Sequence, residues 1–336
     1  MAKKETYGNE SISQLTGPDR VRLRPAVIFG SDGLDGCEHA VFEILSNSID
    51  EAREGFGSLI TVTCFSDRSI EVEDFGRGCP VDWNEREQRW NWELVFCELY
   101  AGGKYNNNAE GGDYGFALGL NGLGSCATQY ASRWMEVTVR RDGIRYDLRF
   151  EKGFAVGEPG QELRKSPADR KKTGTRIRWL PDLDVFTDIA IPEEYFDDCL
   201  KRQAVANAGL RFQLKLQQTD GSFVTREYLY PNGITDYVTE LAGENPLTQP
   251  RFIQTERTGR DREDRDAYRV KISAAFCFWT ERSASLSVWQ FRRSASRART
   301  SFTMAAASKF LIASFLITNS GSSRSIFSVS IIRWFH

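Results

Sequence analysis

The chain has 336 residues, of which 40% are apolar and 27% charged, the composition of a globular protein long enough for two domains. Its seven cysteines form no C-x-x-C pair and there are only two histidines, which argues against a zinc site and indicates a reducing compartment. The best apolar run, 310–317, is eight residues long, so we predict no membrane span and a cytoplasmic location.

The charge is unevenly distributed. Every Asp and Glu lies at or before Glu281, so residues 1–281 carry a net charge of −10 and residues 282–336 a net charge of +8. The body of the chain therefore shows no basic signature for nucleic acid.

The N-terminal part of the chain begins with a polar segment. Residues 1–17 are predicted to form an extended arm, with Tyr7 and Ile12 as isolated apolar points. Residues 20–36 indicate a loop that contains a short buried piece at 26–29 and ends in glycine.

Residues 38–52 have the periodicity of an amphipathic helix. One side is mostly apolar and holds Val41, Leu45, Ser48, Ile49 and Ala52. The other side has no Lys or Arg and holds His39, Glu43, Asn47, Asp50 and Glu51. A carboxylate and an amide four residues apart can place a general base beside a metal ligand. The alternative is an ordinary solvated helix face.

A hairpin and two helices follow, separated by glycine-rich loops. We predict strands at 59–65 and 69–73 and helices at 90–100 and 125–132. Between the helices, residues 104–124 are rich in Gly and Asn. Long loops of this kind inside compact domains are usually functional.

The rest of the chain alternates strands with helices. Strands are predicted at 134–141, 144–151, 175–180, 210–217, 223–229 and 269–278, and helices at 192–207 and 234–241. Residues 245–254, with two prolines, indicate a loop at a domain boundary. We therefore divide the chain into domains at 1–245, 246–281 and 282–336.

The last domain differs in character from the others. Residues 282–336 contain no acidic residue and fourteen serines. One interpretation is a disordered basic tail that binds nucleic acid. Its tryptophans and its apolar run fit that interpretation poorly, and we favour a segment that was never selected to fold, as when a reading frame is lost.

Four short motifs occur in a fixed order. They are Glu43-x-x-x-Asn47 on a helix, Asp74-x-Gly76-x-Gly78 after a strand, Gly119-x-x-Gly122-x-Gly124 opening a helix, and Thr173-Gly174-Thr175 opening a strand. Together they resemble the ATP-binding motifs of the GHKL superfamily. The segments N-S-I-D-E-A, V-E-D-F-G-R-G-C-P and L-Y-A-G-G-K-Y are similar to the B subunits of type IIA DNA topoisomerases, DNA gyrase B and topoisomerase IV B. The resemblance covers about residues 7–278.

The resemblance implies an α+β fold: a GHKL (Bergerat) two-layer α/β sandwich over 1–245, followed by the start of a transducer domain of the ribosomal S5 domain 2-like kind. It implies ATP and Mg²⁺ as cofactors. Glu43 would be the general base for the attacking water, with His39 hydrogen-bonded to it. Asn47 would offer a neutral oxygen to Mg²⁺, and Asp74 would accept the amino proton of adenine.

The resemblance also assigns the remaining nucleotide contacts. They are Glu51, Gly76, Arg77, Gly78, Pro80, Lys104, Tyr114, Gly119, Leu120, Asn121, Gly122, Leu123, Gly124 and Thr175. Lys104 and Tyr114 resemble lid residues, and Asn121 stands where gyrases usually have His. In the arm, Tyr7 and Ile12 have the spacing with which this family reaches the partner protomer, which implies a homodimer clamp.

A type II topoisomerase would act on DNA, and its partner would be the topoisomerase A subunit. The sequence lacks parts of such an enzyme, because no D-x-D motif follows Glu281 and the transducer lysine is not found. The first hypothesis is thus the ATP-hydrolysing end of a DNA topoisomerase, present as a fragment. The alternatives are a module that binds nucleotide without hydrolysing it, and an Hsp90-like or MutL-like ATPase.

Overall fold

The computed structural model describes residues 14–101, 118–119, 122–158, 160–244, 246–259, 268–279, 309–319 and 326–334. The described residues belong to two compact units. One unit takes its residues from Met1–Tyr105, Gly119–Phe196 and Gln213–Arg226, and the other from Asn106–Leu118, Asp197–Phe212 and Glu227–His336.

Helices and strands alternate through the described residues. The helices are α1 (Asp19–Arg22), α2 (Pro25–Phe29), α3 (Leu34–Arg53), α4 (Asn91–Cys97), α5 (Gly124–Tyr130), α6 (Glu193–Ala206) and α7 (Ile234–Ala242). The strands are β1 (Leu59–Cys64), β2 (Ile70–Asp74), β3 (Trp83–Asn84), β4 (Arg89–Trp90), β5 (Ser132–Arg141), β6 (Ile144–Glu151), β7 (Phe154–Ala155), β8 (Arg164–Pro167), β9 (Gly174–Pro181), β10 (Arg211–Gln217), β11 (Phe223–Tyr228), β12 (Arg251–Gly259), β13 (Tyr268–Trp279), β14 (Lys309–Asn319) and β15 (Ile326–Trp334). None of these helices is both long enough and apolar enough to cross a membrane.

A nine-stranded sheet organises the first unit. Its order is β11-β10-β1-β2-β9-β5-β6-β7, with β8 paired to β6. The β1–β2 hairpin places Asp74 opposite Ile60 at the end of β2. Alternate residues of β2 are buried, so Asp74 lies on the same face as Ile70 and Val72, while Glu71 lies on the other face. The pleat thus directs the Asp74 carboxylate toward the core.

Helix α3 packs across β1, β2 and β9 and also contacts α2 and α5. Its buried apolar side chains recur at helical spacing and are Cys37, Ala40, Val41, Ile44, Leu45 and Ile49. The predicted helix at 38–52 is confirmed, and the structure begins it four residues earlier, at Leu34. This one helix therefore joins the sheet to the segment that opens α5.

The loop predicted at 20–36 was wrong, because the structure has the short helices α1 and α2 there. Pro25 occupies the first turn of α2, where its fixed φ favours a helix. Gly30 ends α2 in the left-handed conformation, with φ 79°. The predicted buried piece is only half right, since Phe29 is 3% exposed and Val27 is 76% exposed.

The second unit contains a four-stranded sheet of order β12-β13-β14-β15, and α7 packs against β13. Strand β12 lies partly in the predicted loop at 245–254. Its side chains are nearly all exposed, so no alternation of apolar residues announced it; pairing with β13 makes it a strand. Strands β14 and β15, which the sequence did not predict, make up the described part of 282–336. The division into three domains stays a prediction.

Candidate functional site

The polar side of α3 begins with a histidine–glutamate pair. His39 Nε2 lies 3.1 Å from Glu43 Oε1, and His39 Nδ1 lies 3.1 Å from the carbonyl oxygen of Phe29. Both neighbours of the ring are acceptors, so the two contacts require an N–H on each ring nitrogen or a proton on Glu43. The pair is thus built to hold a proton beside the Glu43 carboxylate, whose side chain is 30% exposed.

One turn further along α3, the Asn47 carboxamide is held by its nitrogen. Asn47 Nδ2 donates to the carbonyl oxygen of Glu43 at 3.1 Å and to Ser125 Oγ at 3.2 Å. Rotating the amide by 180° would turn its oxygen against the Glu43 carbonyl. Asn47 Oδ1 therefore faces Gly119, where a Cβ atom would lie 3.3 Å from it.

The first turn of α5 lies against the same two side chains. A Cβ atom on Gly124 would collide with the Glu43 carboxylate and lie 3.0 Å from Glu43 Cβ. A residue with a side chain could not occupy this position without moving Glu43. Gly124 is thus required by close packing, and its backbone lies beside the carboxylate.

At the end of β2, the Asp74 carboxylate is 8% exposed and accepts three hydrogen bonds. Its Oδ1 accepts from the backbone N–H groups of Gly76 at 3.0 Å and Thr175 at 3.2 Å. Its Oδ2 accepts from Ser48 Oγ at 3.0 Å. Burial raises the pKa of Asp74, and the hydrogen bonds from Gly76, Thr175 and Ser48 oppose that shift.

The loop after Asp74 is fastened at two points. Thr175 Oγ1 accepts a hydrogen bond from the backbone N–H of Cys79 at 2.9 Å. Arg141 Nη1 donates to the carbonyl oxygen of Gly78 at 2.9 Å. Pro80, which follows, is exposed. The start of β9 thus supports both the Asp74 carboxylate and the loop that leaves it.

Glu51, at the end of α3, braces the same loop. Its Oε1 accepts from the backbone N and from Nε of Arg77 at 2.8 and 2.9 Å, and its Oε2 accepts from Arg77 Nη2 at 2.9 Å. Gly76 is required here too, because a Cβ atom on it would collide with Glu51 Cγ. The Arg77 guanidinium lies over the Phe56 ring, 3.8 Å from its centroid.

A cavity of about 370 Å³ adjoins this brace. It is lined by Gly55, Phe56, Gly57, Phe75, Gly76, Arg77, Arg141, Asp142 and Thr173. The cavity lies next to the Asp74 loop and carries two arginines and two aromatic side chains, so it is suited to a planar ligand with negative charge.

Three further polar residues in the site were not singled out from the sequence. Ser48 lies on the predicted apolar side and bonds Asp74, and the signal for it was a serine within an apolar stripe. Asp50 is 1% exposed, although we predicted it on the polar side, and its Oδ2 accepts from the Gly119 N–H at 3.1 Å. Ser125, which contacts Asn47, gave no signal in the sequence.

Known proteins share this sequence and geometry. No protein-family model matches the sequence. The chain is 33% identical over 255 residues to the DNA gyrase B protein of Mycoplasmoides gallisepticum, covering 76% of this chain and 38% of that protein. It is 34% identical over 270 residues to the DNA gyrase B protein of Thermotoga maritima, covering 80% and 41%. It is 34% identical over 255 residues to the DNA topoisomerase 4 B protein of Streptococcus pneumoniae, covering 74% and 38%.

The chain is a homologue of the type II topoisomerase B subunits. It spans 38–41% of the length of these three relatives. Among solved structures, the 43K ATPase domain of Thermus thermophilus gyrase B in complex with an aminocoumarin matches with a TM-score of 0.60 and 28% identity, over 77% of this chain and 62% of that one. The topoisomerase IV ATP-binding domain of Francisella tularensis matches with a TM-score of 0.58 and 27% identity, over 78% and 64%.

These matches confirm the predicted α+β fold of the GHKL type. The structure brings together the predicted residues of the four motifs that it describes. Gly122 has a φ of 59° and Leu123 forms the N-cap of α5, so the glycine-rich motif opens a helix as predicted. Six predicted site residues lie outside the described residues, namely Tyr7, Ile12, Lys104, Tyr114, Leu120 and Asn121.

The donor set of the site fits a magnesium ion that is held mainly by phosphate. The described residues contain no group of three or more His, Cys, Asp or Glu side chains able to hold a metal ion. Asn47 nevertheless turns its carboxamide oxygen toward Gly119, beside the Glu43 carboxylate. Mg²⁺ commonly takes one or two protein oxygens and completes its shell with phosphate and water.

Proposed function

We propose that this chain binds ATP with Mg²⁺ between the polar side of α3 and the first turn of α5, and hydrolyses it. The observation that carries the proposal is that α3 reaches both ends of one site. Ser48 bonds the buried Asp74 carboxylate, while Glu43 and Asn47, one turn away, lie against Gly124 and Ser125. A nucleotide needs a reader of its base and a cradle for its phosphates, and both adjoin this helix.

Adenine recognition is assigned to Asp74. Its Oδ1 already accepts two backbone N–H groups, so Oδ2, which accepts from Ser48, is the oxygen for the exocyclic amino group of adenine. A carboxylate at this position disfavours guanine, whose carbonyl oxygen would face it. Thr175 supports the carboxylate through its backbone N–H.

Phosphate binding is assigned to the segment from Gly119 to Gly124. It opens α5, where backbone N–H groups at a helix N-terminus attract anions. Asn47 Oδ1 is the protein ligand for Mg²⁺, which when bound would neutralise charge on the phosphate oxygens. Lys104, Tyr114, Leu120 and Asn121 belong to the same proposal through the resemblance alone.

Hydrolysis is assigned to Glu43. Its carboxylate would orient the attacking water and accept its proton, and His39 would hold that carboxylate in place at 3.1 Å. Glu43 Oε2 lies against the backbone of Gly124, next to the proposed phosphate position. The base therefore stands where an in-line water would need it.

In the whole protein we propose that ATP drives a dimer clamp for DNA strand passage by a type II topoisomerase. DNA and the topoisomerase A protein are the proposed partners, and Tyr7 and Ile12 of the arm are proposed to contact a second copy. A cytoplasmic location belongs to the same proposal. An Hsp90-like or MutL-like function is not favoured, because the named relatives are gyrase and topoisomerase IV proteins.

The test combines binding and turnover. Calorimetry should detect a non-hydrolysable ATP analogue with Mg²⁺, and Glu43→Gln should keep that binding while reducing ATP hydrolysis by about 10²-fold or more. Glu38→Gln, the same change on the same helix, is the matched control and should leave turnover unchanged. Absence of analogue binding would remove the proposal. Binding without turnover in the unaltered chain would identify a nucleotide-binding module instead.

A further inference from the structure

The orientation of the Asn47 carboxamide depends on two hydrogen bonds from its nitrogen. One goes along α3 to the Glu43 carbonyl at 3.1 Å, and the other crosses to Ser125 Oγ at 3.2 Å. Ser125 is 78 residues away in sequence and is the second residue of α5. The amide is thus fixed by one contact within its own helix and one contact from the helix that the glycine-rich segment opens.

The second contact limits a motion that the first contact leaves open. A single hydrogen bond to the Glu43 carbonyl allows the amide plane to turn about the N–H···O direction, which swings Oδ1 through an arc. A second donor–acceptor pair on the same nitrogen removes that freedom. Outer groups of this kind orient metal ligands, and their loss commonly weakens metal binding by one to two orders of magnitude.

The same turn of α5 contacts Glu43, the residue whose carbonyl accepts the other Asn47 bond. The Gly124 backbone lies so close to the Glu43 carboxylate that no Cβ atom fits between them. Ser125 therefore acts from a rigid contact between two helices, and its hydroxyl is held at a fixed place relative to α3.

We propose that Ser125 is a positioning residue: its hydroxyl oxygen holds the Asn47 carboxamide so that Oδ1 faces the magnesium ion of a bound nucleotide. The proposal rests on the proposed function, since it takes Asn47 as the Mg²⁺ ligand. It also links the two halves of the site. The glycine-rich segment leads directly into Ser125, so phosphate binding there and metal binding at Asn47 share one contact.

The experiment measures how nucleotide binding depends on Mg²⁺. A non-hydrolysable ATP analogue is titrated into the full chain, by calorimetry, over a range of Mg²⁺ concentrations and in EDTA. Ser125→Ala should raise the half-saturating Mg²⁺ concentration by about threefold to tenfold, the effect of losing one hydrogen bond. Affinity in EDTA should change less than twofold, and Ser125→Thr, which keeps the hydroxyl, should restore the Mg²⁺ dependence.

Ser46→Ala is the matched control. Ser46 lies next to Asn47 and its hydroxyl donates to the Glu43 carbonyl at 2.9 Å, so the control removes a neighbouring hydroxyl from the same helix. Its Mg²⁺ dependence should equal that of the unaltered chain, and melting curves without ligand should show that every variant is folded.

The outcomes separate the two proposals. If the unaltered chain binds no nucleotide, the proposed function and the role of Ser125 both fail. If it binds with a clear Mg²⁺ dependence that Ser125→Ala does not alter, only the role of Ser125 is overturned. An equal loss of affinity with Mg²⁺ and in EDTA also overturns it, because a purely structural effect would not distinguish the two conditions.

Discussion

Replacing Asp74 by Asn tests the proposed reading of adenine with almost no change in shape. The backbone N–H groups of Gly76 and Thr175 both point at Oδ1, so the Asn oxygen must take that place. The new NH₂ group then replaces Oδ2, beside Ser48, whose hydroxyl can accept as well as donate. All three existing contacts are kept, and only the group that faces the ligand changes from acceptor to donor.

The magnitude follows from that exchange. A hydrogen bond to a charged group contributes about 1.5–3 kcal/mol, so its loss weakens ATP binding roughly 10- to 150-fold. Two donors then face each other, which adds to the loss. A purine with a carbonyl oxygen in place of the amino group would instead accept from the new NH₂ group. The preference for ATP over GTP should therefore fall by at least about tenfold, because one site polarity has been reversed.

The assay is calorimetric binding of non-hydrolysable ATP and GTP analogues with Mg²⁺. Asp184→Asn is the matched control, since Asp184 is 64% exposed and its loss changes the net charge by the same amount. That control should bind ATP as the unaltered chain does. Asp74→Asn binding ATP with unchanged affinity, in a folded protein, would refute the assignment of Asp74 as the base reader.

Three other predictions concern stability and geometry. Burial raises the pKa of Asp74 above its unfolded value, so its ionisation destabilises the fold as pH rises; Asp74→Asn should be more stable than the unaltered chain at pH 7, with a melting-temperature gain that vanishes below about pH 4, and a pH-independent gain would contradict this. Gly124→Ala should displace Glu43 and reduce ATP turnover about 10²-fold while the chain stays folded; normal turnover would show that the contact is not constraining. Glu51→Ala should release Arg77 and lower the free energy of unfolding in urea by about 1–2 kcal/mol, discounted because Arg77 is 38% exposed; an unchanged midpoint would show that the brace contributes nothing.

Much of the secondary structure could be predicted because its signals are local. The hairpin β5–β6 matches the predicted strands, since alternating residues flank Asp142-Gly143, a dipeptide that favours a tight turn. Helix α3 was predictable because its apolar residues repeat at helical spacing over five turns. Strand β12 was not, because pairing with β13 forms it rather than the burial of one face.

The sequence by itself determined which chemical groups this protein carries, and in what order: a Glu and an Asn one turn apart, an Asp before two glycines, and a glycine-rich turn before a helix. Spacing along one chain is enough for that. Only the tertiary structure decided which other side chains complete the site. Ser48, Asp50 and Ser125 find their partners 26, 69 and 78 residues away, and contacts at such separations are set by packing of the helices on the sheet.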